Sequence, residues 1–421
     1  MVTLAFAAIS GVLVEFYDFT IFGFAAASAF PAIFFPNRGP TEALVFSYLT
    51  VGAGQPARLL GAFLFGHFGD RAGRKTAFLV NILLVGGSTV LTGMLPGYAT
   101  LGIAAPALLL CLRITQGIAV GGEFGGATCL LAEFGARRRS RAFWMSLANL
   151  GISLGLISAS AVFLSLSESF ATTGWRIAML LSAVIIVPAF VARYKIADSP
   201  LFERIKARDQ LARMPSIAVV RQHAMPIFLL AVVSSFQLMD STVSGTYAIS
   251  FMRAAGIPLA TTATIIFISR IGDVFGVLVS GPLADAWKRR RVAYVAIGLT
   301  TVLSFPATLA IVANRVPWVV VLQFLITFFG VGLLHGLAPV LTAESFPTRL
   351  RYSGTGISFS LAAILGGAIA PPLLARLVGE NVAHRWLYVP LVYVAYCLAA
   401  MAALRFIPET RDIRLEDLDR A

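Results

Sequence analysis

Residues 66–75 read Gly-His-Phe-Gly-Asp-Arg-Ala-Gly-Arg-Lys, and residues 281–290 read Gly-Pro-Leu-Ala-Asp-Ala-Trp-Lys-Arg-Arg, an echo at an offset of 215. Each is a short charged turn closing a long apolar run. A second echo, Ala132-Glu133-Phe134 and Ala343-Glu344-Ser345-Phe346, lies at an offset of 211. The chain therefore reads as two similar halves. About 20 mostly apolar residues cross the ~30 Å of hydrocarbon in a bilayer. Working outward from the turns, such runs occupy 4–34, 42–66, 75–96, 100–133, 141–165 and 175–193, then 224–251, 259–284, 291–313, 316–343, 352–377 and 386–407. Lipid admits no open sheet edge, and no ~10-residue barrel alternation is present, so the spans are helices. The expected fold is an all-α integral membrane protein of twelve transmembrane helices in two six-helix bundles. Residues 1–193 form the first bundle, 194–223 a cytoplasmic linker, 224–407 the second bundle and 408–421 a cytoplasmic tail.

Composition agrees. Of 421 residues, 58% are hydrophobic and 13% charged, with a mean hydropathy of +0.85. A soluble enzyme carries ~25% charge. The formal charge of +13 would by itself suggest nucleic acid, but its distribution redirects the reading. One side of the membrane holds 24 of the 33 Lys and Arg, the other holds 6, and 3 lie inside spans. This asymmetry places both termini in the cytoplasm, makes the inner membrane the expected location and leaves no role for nucleic acid. Cys111, Cys129 and Cys397 sit in apolar runs and read as packing residues. The opening apolar run reads as retained rather than as a signal peptide. In the polar centre, Asp198-Ser199-Pro200 opens like a capped helix, expected to run on the membrane surface to about Arg213.

Several motifs carry a resemblance. The first span holds Glu15-Phe16-Tyr17-Asp18-Phe19, and the second holds Ala57-Arg58-Leu59-Leu60-Gly61 before the charged turn. The fourth holds Arg113-Ile114-Thr115-Gln116-Gly117 and Gly121-Gly122-Glu123-Phe124-Gly125-Gly126. Farther on come Asp198-Ser199-Pro200-Leu201-Phe202, Glu344-Ser345-Phe346-Pro347-Thr348 with Arg351 and Gly354, and Pro408-Glu409-Thr410-Arg411. Over nearly its whole length the chain resembles the major facilitator superfamily, and more narrowly its metabolite:proton symporter branch. Leu59 departs from the proline usual there.

Eight ionisable residues lie within spans: Glu15, Asp18, Arg58, Arg113, Glu123, Asp240, Arg270 and Asp273. Each costs ~2.5–3.5 kcal/mol at the bilayer centre, so all must face the bundle interior or a watery cavity. Glu15 and Asp18 share a helix face, with Arg58 and Arg113 as partners in the same half. The repeat offset of 215 maps Arg58 onto Asp273 and Gln55 onto Arg270, and an offset of 222 pairs Asp18 with Asp240. Five acids against three arginines leave a buried excess of negative charge, relieved by protonating one or two acids. Glu15, Asp18 or Glu123 is the expected proton carrier, tuned by Arg113; static ion pairs that fix helix packing are the alternative. Arg270 reads either as a cation that meets a substrate carboxylate or as a partner neutralised by Asp273, three residues on. His335 reads as a hydrogen-bonded packing histidine.

Asp70, Arg71, Arg74 and Lys75, with Asp285 in the second copy and Glu133 and Glu344 as partners, read as a cytoplasmic latch. Residues 69–76 nearly spell a phosphate loop, but Arg74 intrudes and no strand precedes it. Gly117, Gly121 and Gly125 mark a close-packing helix face. No catalytic, cofactor or metal pattern is present, and no cofactor is expected. Leu156 stands where drug antiporters of the superfamily place proline, which favours symport. The expected function is a monomeric proton-coupled symporter importing a small organic acid by alternating access. A proline/betaine-type osmolyte symporter, an efflux antiporter and a non-transporting sensor are the alternatives.

Overall fold

The structure is a computed structural model, and it describes residues 2–72, 74–121, 141–194, 215–380 and 385–411. Among them the chain is helical with no strand. Because hydrocarbon offers the backbone no hydrogen bonds, each apolar run satisfies its own amides as a helix. The helices are α1 (Val2–Ser28), α2 (Pro40–Ala72), α3 (Arg74–Met94), α4 (Ala104–Val120), α5 (Leu150–Ser165), α6 (Trp175–Tyr194), α7 (Pro215–Ser241), α8 (Leu259–Ala286) and α9 (Arg289–Val312). In α10 a π-helical turn, Thr327–Leu333, joins Val316–Ile326 to Leu334–Ala343; in α11 another, Ala363–Ala368, precedes Ala370–Glu380 and follows Thr348–Ala362. The last helix is α12 (Arg385–Phe406). These segments lie at the places of the sequence-predicted spans. Nine described helices are long and apolar enough to cross a membrane, and Leu79–Met94 and Ala104–Val120 are shorter apolar helices.

α7 reaches back to Pro215, into sequence expected as linker, and bends at the non-helical residue His223. The capped helix expected after Asp198 lies outside the described residues.

Packing repeats with the sequence. In the first half α1 packs on α5, α2 on α4 and α3 on α6; in the second α7 packs on α11, α8 on α10 and α9 on α12. Small residues set the closest approaches. A Cβ at Gly117 would lie 2.3 Å from the carbonyl oxygen of Gly54, and one at Gly121 2.1 Å from that of Arg58. In the second half a Cβ at Gly276 would lie 2.5 Å from the carbonyl oxygen of Phe328, and one at Gly332 2.4 Å from that of Asp273. Glycine is thus required where α2 meets α4 and α8 meets α10, and these helices also carry the buried Arg58, Arg113, Arg270 and Asp273.

The halves touch at both ends. Near the charged turns, the amides of Ala142 and Phe143 donate to Asp285 (3.2 and 3.3 Å), and Asn149 Nδ2 donates to the carbonyl of His335 (2.8 Å). At the far end, Tyr48 and Ser250 share a hydroxyl hydrogen bond (2.7 Å).

Candidate transport site

In the first half, α1 buries Glu15 and Asp18. Glu15 Oε1 pairs with Arg58 Nη1 at 3.1 Å, and that guanidinium lies 5.1 Å from the centre of the Phe359 ring, on α11 of the other half. Asp18 is held differently. Its Oδ1 accepts from Ser182 Oγ on α6 (2.5 Å) and its Oδ2 from Thr89 Oγ1 on α3 (2.9 Å). Gln116 Nε2 donates to the same Thr89 hydroxyl (2.8 Å), while Gln116 Oε1 accepts from Arg113 Nη1 (2.6 Å). Arg113 and Asp18 are thus joined through two neutral side chains rather than by an ion pair. The Arg113 guanidinium is itself sandwiched by aromatic faces, 3.8 Å from the centre of Phe19 and 4.4 Å from that of Phe22. Such cation–π contacts compensate part of its lost hydration.

In the second half, Asp240 is fully buried and its Oδ1 accepts from Tyr393 on α12 (2.5 Å), while Oδ2 has no hydrogen-bond partner. A cavity of about 30 Å³ reaches Tyr393 and is lined by Ser244, Ser304, Thr308 and Gln323, space for about two waters. Behind Asp240 the helix continues as the π-helical turn Thr242–Tyr247, a distortion often found at functional sites. Arg270 lays its guanidinium against this turn. Nη2 donates to the carbonyl of Ser241 (3.2 Å), and the guanidinium fills the space beside Gly245, where a Cβ would sit 1.9 Å from Nη2. Arg270 Nε and Nη1 are buried and donate to nothing.

Asp273 and Arg270 form no ion pair, although three residues apart on one helix. Asp273 instead faces His335, with Oδ1 3.5 Å from Nδ1, and neither carboxylate oxygen nor either imidazole nitrogen makes a hydrogen bond. The His335 imidazole is therefore not hydrogen-bonded as the sequence suggested; across the seam its carbonyl accepts from Asn149.

Of the latch, Asp285 pairs with Arg289 (3.4 Å), and Arg289 reaches Glu344 (3.5 Å). Thr410 Oγ1 donates to Glu344, and the carboxylate of Glu409 accepts the amides of Arg289 and Arg290 (2.9 and 3.1 Å). A carboxylate there answers the free amides and partial positive charge of the α9 N-terminus. The side chains of Asp70, Arg71, Arg74 and Lys75, and all of Glu123 and Glu133, lie outside the described residues. Thr89, Gln116, Ser182 and Tyr393 were missed by sequence reasoning. Of these only Gln116, one turn from Arg113 on the same helix, left a readable signal.

The sequence pattern of the Major Facilitator Superfamily matches residues 9–371 and 230–417. The chain belongs to this superfamily. It is 36% identical to the "Inner membrane metabolite transport protein YhjE" of Escherichia coli (strain K12), over 95% of this chain and 91% of that protein. To the "Shikimate transporter" of the same organism it is 30% identical, over 95% and 93%. The facilitator fold is matched in the crystal structure of a D-xylose-proton symporter, with a TM-score of 0.75 at 18% identity over 97% of this chain and 98% of that one. This superfamily member is therefore a multi-pass membrane transporter and not an enzyme.

Proposed function

We propose that the protein is a proton-coupled symporter that imports a small organic anion across the inner membrane, with both termini cytoplasmic. Proton coupling rests on Asp18, a fully buried carboxylate whose described donors are neutral hydroxyls. An acid so placed crosses the membrane domain at lowest cost when it carries a proton. The anion rests on Arg270, a buried guanidinium whose Nε and Nη1 donate to nothing and can each give a charge-assisted hydrogen bond to a carboxylate. Bundles 1–193 and 224–407 rock about the linker 194–223, and Asp285 releases the Ala142 and Phe143 amides as the cytoplasmic side opens.

A second reading, a zwitterionic osmolyte, is favoured by one observation: Asp240 and Asp273 flank Arg270, so both signs of charge are on hand. The efflux and sensor readings have no comparable support.

The test is proton uptake driven by substrate. Energised vesicles holding the protein should alkalinise the medium when the right member of a panel of carboxylates is added, and an osmolyte should do so instead under the second reading. If no compound of either class draws protons in, the symport reading fails. Asp18→Asn should abolish uphill accumulation and leave exchange of labelled substrate intact; normal accumulation would remove Asp18 from the coupling role.

A further inference from the structure

The charges of the first half balance among the described residues: Glu15 and Asp18 stand against Arg58 and Arg113. Those of the intramembrane cluster in the second half do not. Asp240 on α7 and Asp273 on α8 share the cluster with one guanidinium, Arg270, and with Tyr393 on α12 and His335 on α10 as its other titratable groups. α9 presents the neutral Thr300, and the facing first half presents Asn149. All four charged or ionisable members other than Tyr393 are at most 1% exposed. Two carboxylates and one guanidinium leave a net charge of −1, in a place where solvent cannot offset it.

We propose that the second half binds a proton of its own, held between His335 Nδ1 and Asp273 Oδ1. The two atoms stand 3.5 Å apart, and neither has a hydrogen bond to any other group. A proton bound from water at Nδ1 makes the imidazole a cation beside the carboxylate and brings the cluster to neutrality. Contraction of the pair then gives two orphaned atoms their hydrogen bond. Access comes from the seam between the halves. His335 lies directly on it, its carbonyl bonded to Asn149 of the first half (2.8 Å), and a bond across the seam breaks when the halves part.

The consequence for transport rests on Arg270 as the anion site. An anion that docks there meets two carboxylates nearby; one proton in the His335–Asp273 pair removes half of that opposition. Proton and anion then favour each other's binding by linkage. With Asp18 as the first carrier, the protein would move two protons per cycle, one from each half.

The experiment needs no substrate, so its outcome is separate from that of the carboxylate panel. The chain has four histidines, and nitrogen-15 labelling of histidine alone gives a spectrum in which His335→Gln identifies the His335 signals. In the folded wild-type protein, at the lowest pH at which it stays folded, both ring nitrogens of His335 should carry protons. In Asp273→Asn at the same pH, one should. A His335 that stays singly protonated down to the lowest pH at which the wild type is folded overturns the proposal, as does an identical His335 signal in Asp273→Asn. Should Asp273→Asn not fold, the wild-type spectrum decides alone. If no carboxylate is ever transported and the His335 signal behaves as stated, the proton site stands and only its link to an anion falls.

Discussion

The two halves share one helix arrangement and treat their buried charges in opposite ways. In the first, among the described residues, Glu15 is ion-paired with Arg58 and Asp18 is held by two hydroxyls, so both acids have partners, and the atom left over is Nη2 of the cation Arg113. In the second, Asp273 makes no hydrogen bond, one oxygen of Asp240 is orphaned and Arg270 keeps two nitrogens free. Symmetry of fold does not enforce symmetry of satisfaction. A satisfied buried charge holds a structure together, whereas an unsatisfied one is a place where a ligand or a proton lowers the free energy on arrival.

The contrast is most exposed to a pair of neutralising substitutions. Glu15→Gln removes the carboxylate ion-paired with buried Arg58 and should destabilise the protein by about 3–5 kcal/mol, read from thermal unfolding in detergent. Asp273→Asn loses no hydrogen bond and should cost less than about 1 kcal/mol, or stabilise. Equal losses in the two variants would break the comparison.

A smaller effect tests the contact that satisfies one oxygen of Asp240 in the second-half cluster. Tyr393→Phe removes the donor to Asp240 Oδ1 and should cost about 1–3 kcal/mol in the same assay. A loss near zero would mean that Asp240 has already taken up a proton or a water in place of the tyrosine. Smallest in stability is the contact between the halves. Asp285→Asn should change unfolding by about 1 kcal/mol or less, because Asp285 is partly exposed and answers helix-end amides. It should nonetheless speed hydrogen exchange at Ala142 and Phe143 several-fold. Unchanged exchange would take Asp285 out of the latch.

How much of this was legible in advance can be judged residue by residue. The span positions followed from hydropathy, because a segment in lipid must be apolar and must satisfy its own backbone. The intramembrane charges followed from the transfer cost, which is a property of each side chain alone. Gly117 and Gly121 announced a tight face by their spacing. The pairing of charges was not legible in this way. Arg58 and Arg113 were equal candidates for Glu15 and Asp18, and i, i+3 spacing suggested an Arg270–Asp273 pair that the fold does not make. Tyr393, 153 residues from Asp240, had no local mark at all.

By itself, then, the sequence determined that this is a membrane protein built from a repeated set of helices, with charges that must face inward. Those conclusions rest on forces that act on one segment at a time. The tertiary structure alone decided which acid is satisfied and which is left open, and that His335 faces a carboxylate. Such facts depend on the rotation of each helix about its axis. A helix that is apolar nearly all round carries little periodic signal to set that angle, so packing against its neighbours has to set it.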